Sequence, residues 1–400
     1  MQRGLPRAVW ALGLVSLLMD TSSEMIHGLL PVFLVTGLGA SAATLGVIEG
    51  FAEATALVIK VFAGMLSDRW RRRKPLTLFG YAMSAATKPL FAIATSAGTV
   101  FAARVVDRIG KGIRGAPRDA LIADIVPPAQ RGAAFGLRQA LDTVGAFAGP
   151  LLGIGLMALW HDDFRAVFRV AVIPALLCVV VLAVLVREPP VRPHTPPANP
   201  ISRANLARLE TRYWRVVLFG ALFGLAHFSE AFLILRAREG GLAIALSPLV
   251  LVAMNGVYGL AAYPLGTLSD RGDNHHALLG FGLALLVVAD GVLAWHGGGA
   301  WVWVGIALWG LHLAFTQGLL SRMVADAAPA DLRGTAFGMF NLVGGLAGLT
   351  ASVLAGILWD RVGPAGTFLT GGTFAVLAGI VVRSQMTPPA AGGTGGGTEG

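Results

Sequence analysis

The sequence predicts an all-α multi-pass membrane protein: twelve transmembrane helices in two pseudo-symmetric six-helix bundles, with both termini cytoplasmic. Three observations carry that prediction. The 400 residues are 55% hydrophobic and only 13% charged, with a mean hydropathy of +0.69, whereas soluble domains are roughly a quarter charged. Hydrophobic runs of about 20–25 residues, long enough to cross a bilayer, fill nearly the whole chain. The pattern Gly64-Met65-Leu66-Ser67-Asp68-Arg69 returns as Gly266-Thr267-Leu268-Ser269-Asp270-Arg271, 202 residues later, so one half is a diverged copy of the other.

In chain order the spans are read at 8–36, 43–66, 76–96, 99–117, 132–158 and 166–186. A second set follows at 213–236, 244–268, 276–296, 300–322, 333–358 and 364–383. The first run holds Asp20 and Glu24 and lacks the short apolar core and cleavage site of a signal peptide, so it is read as a span with the N-terminus inside. Between the first two spans and the third lies Asp68 followed by Arg69, Arg71, Arg72, Arg73 and Lys74, a short basic turn of the kind retained on the cytoplasmic side. The stretch after Arg187 carries Pro189, Pro190, Pro193, Pro196, Pro197 and Pro200, a density that prevents a continuous helix. The expected organisation is a bundle over 1–187, a Pro/Arg-rich cytoplasmic linker over 188–212, a bundle over 213–385 and a Gly/Thr/Pro-rich disordered tail over 386–400.

A second stretch repeats at the same offset. Ala123, Asp124, Pro127, Arg131, Gly132, Ala134, Phe135 and Gly136 recur at Ala325, Asp326, Pro329, Arg333, Gly334, Ala336, Phe337 and Gly338. Parallel repeats of six helices place a solute site between the halves near the midplane and permit alternating access by rocking.

Several function classes are excluded or disfavoured. The net charge of +9 could suggest nucleic acid, but the cations flank hydrophobic runs as the positive-inside rule expects. The single Cys178 forms no internal disulfide, and no Cys/His spacing suggests zinc. With no P-loop, no nucleophile elbow and no soluble domain, neither an enzyme nor direct ATP coupling is expected, and no cofactor or metal is implied.

The chain resembles the major facilitator superfamily over almost its whole length. The loop 2–3 signature of that family, G-x-x-x-D-R-x-G-R-R-K, matches Gly64, Asp68, Arg69, Arg72, Arg73 and Lys74, with Arg71 in place of the second glycine. The second half keeps Gly266, Asp270 and Arg271 without the basic run. Arg104 matches the start of the fourth-helix signature, whose Gln-Gly is replaced by Asp107 and Arg108. The antiporter signature of helix five, G-x-x-x-G-P-x-x-G, matches Gly145, Gly149, Pro150 and Gly153. The resemblance implies a lock in which Asp68 meets the N-terminus of helix eleven near Arg333–Ala336 when the transporter faces outward; the plainer alternative is that Asp68 neutralises its neighbouring arginines. The glycines of helix five form a smooth stripe for close helix approach, with Pro150 bending the helix.

Charges inside the spans share faces. Arg104, Asp107, Arg108, Lys111, Arg114 and Arg118 fall within an arc of about 140° on helix four, and Glu49, Glu53 and Lys60 within about 40° on helix two. Asp20, Glu24 and His27 share a stripe on helix one, as do Arg138 and Asp142 on helix five. A mid-helix charge facing lipid costs about 2.5–3.5 kcal/mol on insertion scales, so these stripes must face water or one another. One reading is a lattice of interhelical salt bridges. The other is proton coupling at Glu24, Glu53 and Asp142, with Glu49 and Asp107 behind them and Arg104 and Arg138 as counter-ions; Lys111 and His27 join the cavity wall. In the second half, Glu230 and His312 are candidate solute contacts, and Trp301, Trp303 and Trp309 are read as interface anchors and packing.

The expected function is proton-coupled secondary transport of a small solute by alternating access, as an efflux antiporter. The alternative is a proton-coupled uptake symporter for an anionic metabolite or metal chelate, motivated by the cations of helix four. A monomer in the inner cell membrane is expected, with the solute, protons and lipid as its partners.

Overall fold

The computed structural model describes residues 5–70, 72–127, 130–188, 206–270, 275–295, 299–329 and 332–386. Arg71, Arg271, the side chains of Asp68 and Asp270, most of the expected linker and the tail beyond Met386 lie outside the described residues.

The described residues form twelve helical segments and no strand. In the first half these are α1 (Arg7–Gly37, interrupted at Gly28-Leu29), α2 (Ala42–Trp70), α3 (Arg73–Ile93), α4 (Ala97–Ile125), α5 (Arg131–Leu159) and α6 (Phe164–Leu185). The second half holds α7 (Thr211–Ala226 and Ala231–Glu239), α8 (Leu249–Asp270), α9 (His275–Ala294), α10 (Ala300–Ala327), α11 (Arg333–Val362) and α12 (Pro364–Met386). Local chemistry sets several of these ends. Ser96 Oγ caps α4 by accepting from the Thr99 N–H, and Asp163 caps α6 by accepting from Arg165 and Ala166. His161 and Asp162 at positive φ turn the chain between α5 and α6, and Gly363 at φ 89° does so between α11 and α12.

The two halves repeat one packing scheme. In the first, α1 packs on α5 and α6, α3 on α4 and α6, and α2 on α4. In the second, α7 packs on α11 and α12, α9 on α10 and α12, and α8 on α10, helix for helix. Even the helix breaks correspond, since Gly28 and Glu230 stand 202 residues apart. The break in α7 was not legible in the apolar run read over 213–236. There the Ser229 N–H donates to Ser352 Oγ on α11 and the Ala231 N–H to Ser229 Oγ, so tertiary and local side-chain bonds replace the helical ladder.

Nine segments have the length and hydropathy of membrane-crossing helices over the described residues; α2, α3 and α4 fall short. Those three carry the first half's buried charges, and each tolerates them because their side chains meet across the α2–α4 and α3–α4 contacts. α4 also runs eight residues past its expected end, with Pro117 inside it.

The halves join mainly along α2 and α11. Small residues let the backbones approach: a Cβ at Gly46 would stand 2.1 Å from the Ser352 carbonyl oxygen, and one at Gly356 would stand 2.4 Å from that of Ala42. At the end remote from Arg72–Lys74, one apolar cluster includes residues of both halves, among them Leu29, Phe33, Phe168, Phe228, Phe232 and Trp309. At the basic end the clusters belong to one half each, around Leu12, Tyr81 and Leu182 in the first, and around Tyr213, Val324, Phe219 and Leu283 in the second. The remote end is thus fused, and the basic end is divided.

Candidate functional site

The site is built on α2 and α4, which run parallel and carry charges at matching four-residue spacing. Arg104 holds Glu49 in a two-point contact, Nε to Oε1 at 3.1 Å and Nη2 to Oε2 at 2.7 Å, with both side chains buried. One turn towards the basic end, Arg108 Nη2 meets Glu53 Oε1 at 2.9 Å. The two rungs differ in access: the Glu49 side chain is 1% exposed and that of Glu53 51%. Arg108 Nε is buried and has no hydrogen-bond partner.

His27 on α1 ties this ladder to a third helix. Its Nε2 lies 3.7 Å from Glu49 Oε2, and its Nδ1 lies 3.5 Å from Glu24 Oε2. Across the crevice, Glu230 at the break of α7 is in electrostatic range of His27, Glu24, Glu53 and Lys111. Lys111 is exposed although it lies mid-helix, one turn beyond Arg108. Water-accessible charges in the middle of spans mark a polar crevice between the halves.

Behind the ladder lies a pair that the helical stripes alone did not show. Lys88 on α3 donates to Asp107 Oδ1 and to Ser23 Oγ, each at 3.0 Å, and is buried. Its sequence signal was a lone lysine in an apolar run beside Pro89. Arg114 lies over the Tyr81 ring at 4.6 Å and donates to Ser84 Oγ at 2.6 Å. Arg118 binds Asp119 at 3.1 Å, with Ser16 and Tyr81 hydroxyls also in reach.

On α5, Arg138 reaches Asp142 at 3.7 Å and Asp119 at 3.9 Å. Asp142 also stands close to Asp20 on α1. The glycine stripe explains why α1 and α5 come so close: a Cβ at Gly145 or Gly149 would stand 2.5 or 2.6 Å from the carbonyl oxygen of Leu17 or Thr21, while Gly153 has ordinary clearance at 3.6 Å. Pro150 lies buried within α5.

The residues singled out from the sequence therefore separate. Glu24, His27, Glu49, Glu53, Arg104 and Lys111 gather at one crevice, with Glu230 opposite; Asp142 and Arg138 form a neighbouring group on the α1–α5 seam, and Asp107 sits behind with Lys88. His312 stands apart: it is fully buried in the second half, and its Nδ1 donates to the Gly282 carbonyl at 2.8 Å. Trp309 is fully buried too, a packing residue and not an interface anchor, with Nε1 donating to Asp290 Oδ1 at 3.0 Å. In the basic loop region, Arg73 Nε binds Asp124 at 2.5 Å, the Arg73 N–H donates to Glu188, and Lys74 Nζ donates to the Ala183 carbonyl. Gly64 faces Ala116 on α4, while Arg69 and Arg72 are exposed.

Comparison with known proteins places this arrangement. The family model described as Major Facilitator Superfamily matches residues 12–352 and 238–399. An uncharacterised MFS-type transporter of Methanocaldococcus jannaschii is 32% identical over 95% of both chains. The multidrug resistance protein MdtH of Aeromonas hydrophila is 25% identical over 88% of this chain and 87% of its own. Among solved structures, the nucleoside transporter NupG superposes with a TM-score of 0.80 over 95% of this chain and 100% of its own, at 12% identity, a likeness of fold.

Proposed function

The chain belongs to the Major Facilitator Superfamily and is a multi-pass membrane transporter of a small solute, and from that premise we propose that it couples solute movement to protons and works as an efflux antiporter. The observation that carries the reading is the pair of unequal rungs. Glu49 is held by two charge-assisted bonds inside the protein, whereas Glu53 is half exposed on a single one, to a guanidinium with a buried nitrogen unpartnered. An acid that alternates between water and a buried cation takes up a proton when the two part and releases it when they meet.

The likeness to MdtH supports the export direction, as does the helix-five signature. The fused remote end and divided basic end fit a state open towards the side bearing Arg72, Arg73 and Lys74. By the positive-inside rule that side is cytoplasmic. On this reading both termini and the linker between the bundles face the cytoplasm, and a monomer in the inner membrane carries the whole cycle.

A second reading, uptake of an anion with protons, draws on Lys111, an exposed cation that makes no ion pair within 4 Å among the described residues. One experiment separates the two. Reconstituted protein is screened against cationic drugs and organic anions with the pH gradient imposed in either direction. Accumulation of a cationic drug in vesicles with an acidic lumen supports export. Anion accumulation that requires external acid supports uptake, and Glu53→Gln should remove the pH dependence in either case.

A further inference from the structure

The second half holds a buried acid that the crevice does not use. Asp290 lies near the remote end of α9 and is 1% exposed. Its Oδ1 accepts from Trp309 Nε1 on α10, while its Oδ2 is buried with no hydrogen-bond partner. Oδ2 points at α12, where a Cβ at position 371 would approach within 2.9 Å, so it fits because Gly371 has none. No ion pair with Asp290 occurs among the described residues; Arg236, which reaches that end of α9, is bound to the Leu293 and Trp295 carbonyls and lies 3.9 Å from Glu239.

Two imidazoles border the same tryptophan. The His227 ring, at the break of α7, lies 4.7 Å from Trp309 and 5.6 Å from His312. Because His312 Nδ1 donates to a carbonyl, which can only accept, its neutral form carries a bare lone pair on Nε2. That nitrogen is buried and unpartnered, as is His227 Nδ1. An ionised carboxylate with one neutral donor and no cation is costly to keep out of water, so the arrangement suits a carboxylic acid near a vacant base, His312 Nε2. Phe223 and Phe228, which pack on these rings, and Ala226 and Gly372 beside them bring no charge.

We propose that Asp290, with Trp309, His227 and His312, is a second proton-binding site, in the C-terminal half, shut off from water while the remote end is fused and open to proton exchange when that end parts. The proposal rests on the reading of the protein as proton-coupled. It assigns the half that lacks the α2–α4 charge ladder its own share in the coupling. The step is a proton transfer alone: on release the O–H bond on Oδ2 breaks and the proton passes to water or to the bare imidazole nitrogen of His312, and loading is the reverse.

The test needs no solute. Purified protein in lipid nanodiscs is stepped in pH, and the protons bound are counted with an indicator dye, alongside the infrared carbonyl stretch of protonated carboxyl groups. Asp290→Asn keeps an acceptor for Trp309 and should bind one proton fewer and lose one carboxylic-acid band. Gly371→Ala, which crowds Oδ2, should shift that band and serves if the asparagine variant fails to fold. An unchanged proton count in Asp290→Asn overturns the proposal, since an acid that keeps one protonation state throughout would give that; a band unaltered by Gly371→Ala overturns it too, since the band then does not belong to Asp290. Glu53→Gln in the same assay separates the two readings: a proton lost there and not with Asp290→Asn leaves crevice coupling standing and removes the second site. A proton lost only with Asp290→Asn supports the second site and removes Glu53.

Discussion

Lys88 and Asp107 form an ion pair 3.0 Å long in the interior of the N-terminal bundle, with side chains 2% and 6% exposed. Ser23 accepts a further bond from the same ammonium. Taking both ions out of water is expensive, and the pair persists because each is the other's principal compensation.

Removing one partner strands the other. Lys88→Met should lower stability by about 3–5 kcal/mol, while the double variant Lys88→Met/Asp107→Leu should regain much of it. Thermal unfolding of detergent-solubilised protein measures both, and a double variant no more stable than the single one would count against the argument.

The two rungs of the ladder should respond differently. Arg104→Met takes both guanidinium bonds from the buried Glu49 carboxylate, leaving it only the more distant His27, and should cost about 3–5 kcal/mol. Glu53→Gln, at a half-exposed position, should leave the unfolding temperature nearly unchanged and alter the pH profile of transport instead. Equal thermal effects at the two positions would show that the difference in exposure has no functional meaning.

At the remote end, Asp360 at the close of α11 accepts from the N–H groups of Ala42 and Ala43, at 2.9 and 2.8 Å, and so caps α2 across the two halves. Asp360→Ala removes both bonds and should raise the population open at that end several-fold. A cysteine placed at Ser41 in a Cys178→Ser background reports this through an impermeant thiol reagent. Unchanged labelling would mean that the α2–α11 seam holds the end closed without this contact.

The glycines of the seam should divide by their surroundings. Gly46→Ala and Gly149→Ala place a Cβ 2.1 and 2.6 Å from backbone oxygens and should destabilise. At Gly136 no atom lies within 4 Å, and alanine there should gain about 0.5–1 kcal/mol from helix propensity. Unfolding temperatures of the three variants, ranked against the parent, check the order.

Periodicity along the chain was enough to find the stripes of charge, because a helix fixes which residues share a face. It could not pair them. Glu49 with Arg104 and Glu53 with Arg108 requires α2 and α4 to lie parallel in one register, and Lys88 with Asp107 requires α3 to close on α4 from the other side. Trp309 shows the converse: residue type left interface anchoring and packing both open, and only the tertiary structure places it, with His312, in the buried interior of the second half.

The amino-acid order by itself determined that this is a membrane protein of two related six-helix halves, since hydropathy, the 202-residue repeat and the placement of cations are properties of the chain read in one dimension. Only the tertiary structure decided which acids are sealed and which meet water, where α7 breaks, and which end is fused. Those depend on distances between residues far apart in the chain. In a medium of low polarity, such distances settle whether a charge is stabilised by a partner or must give up its ionisation.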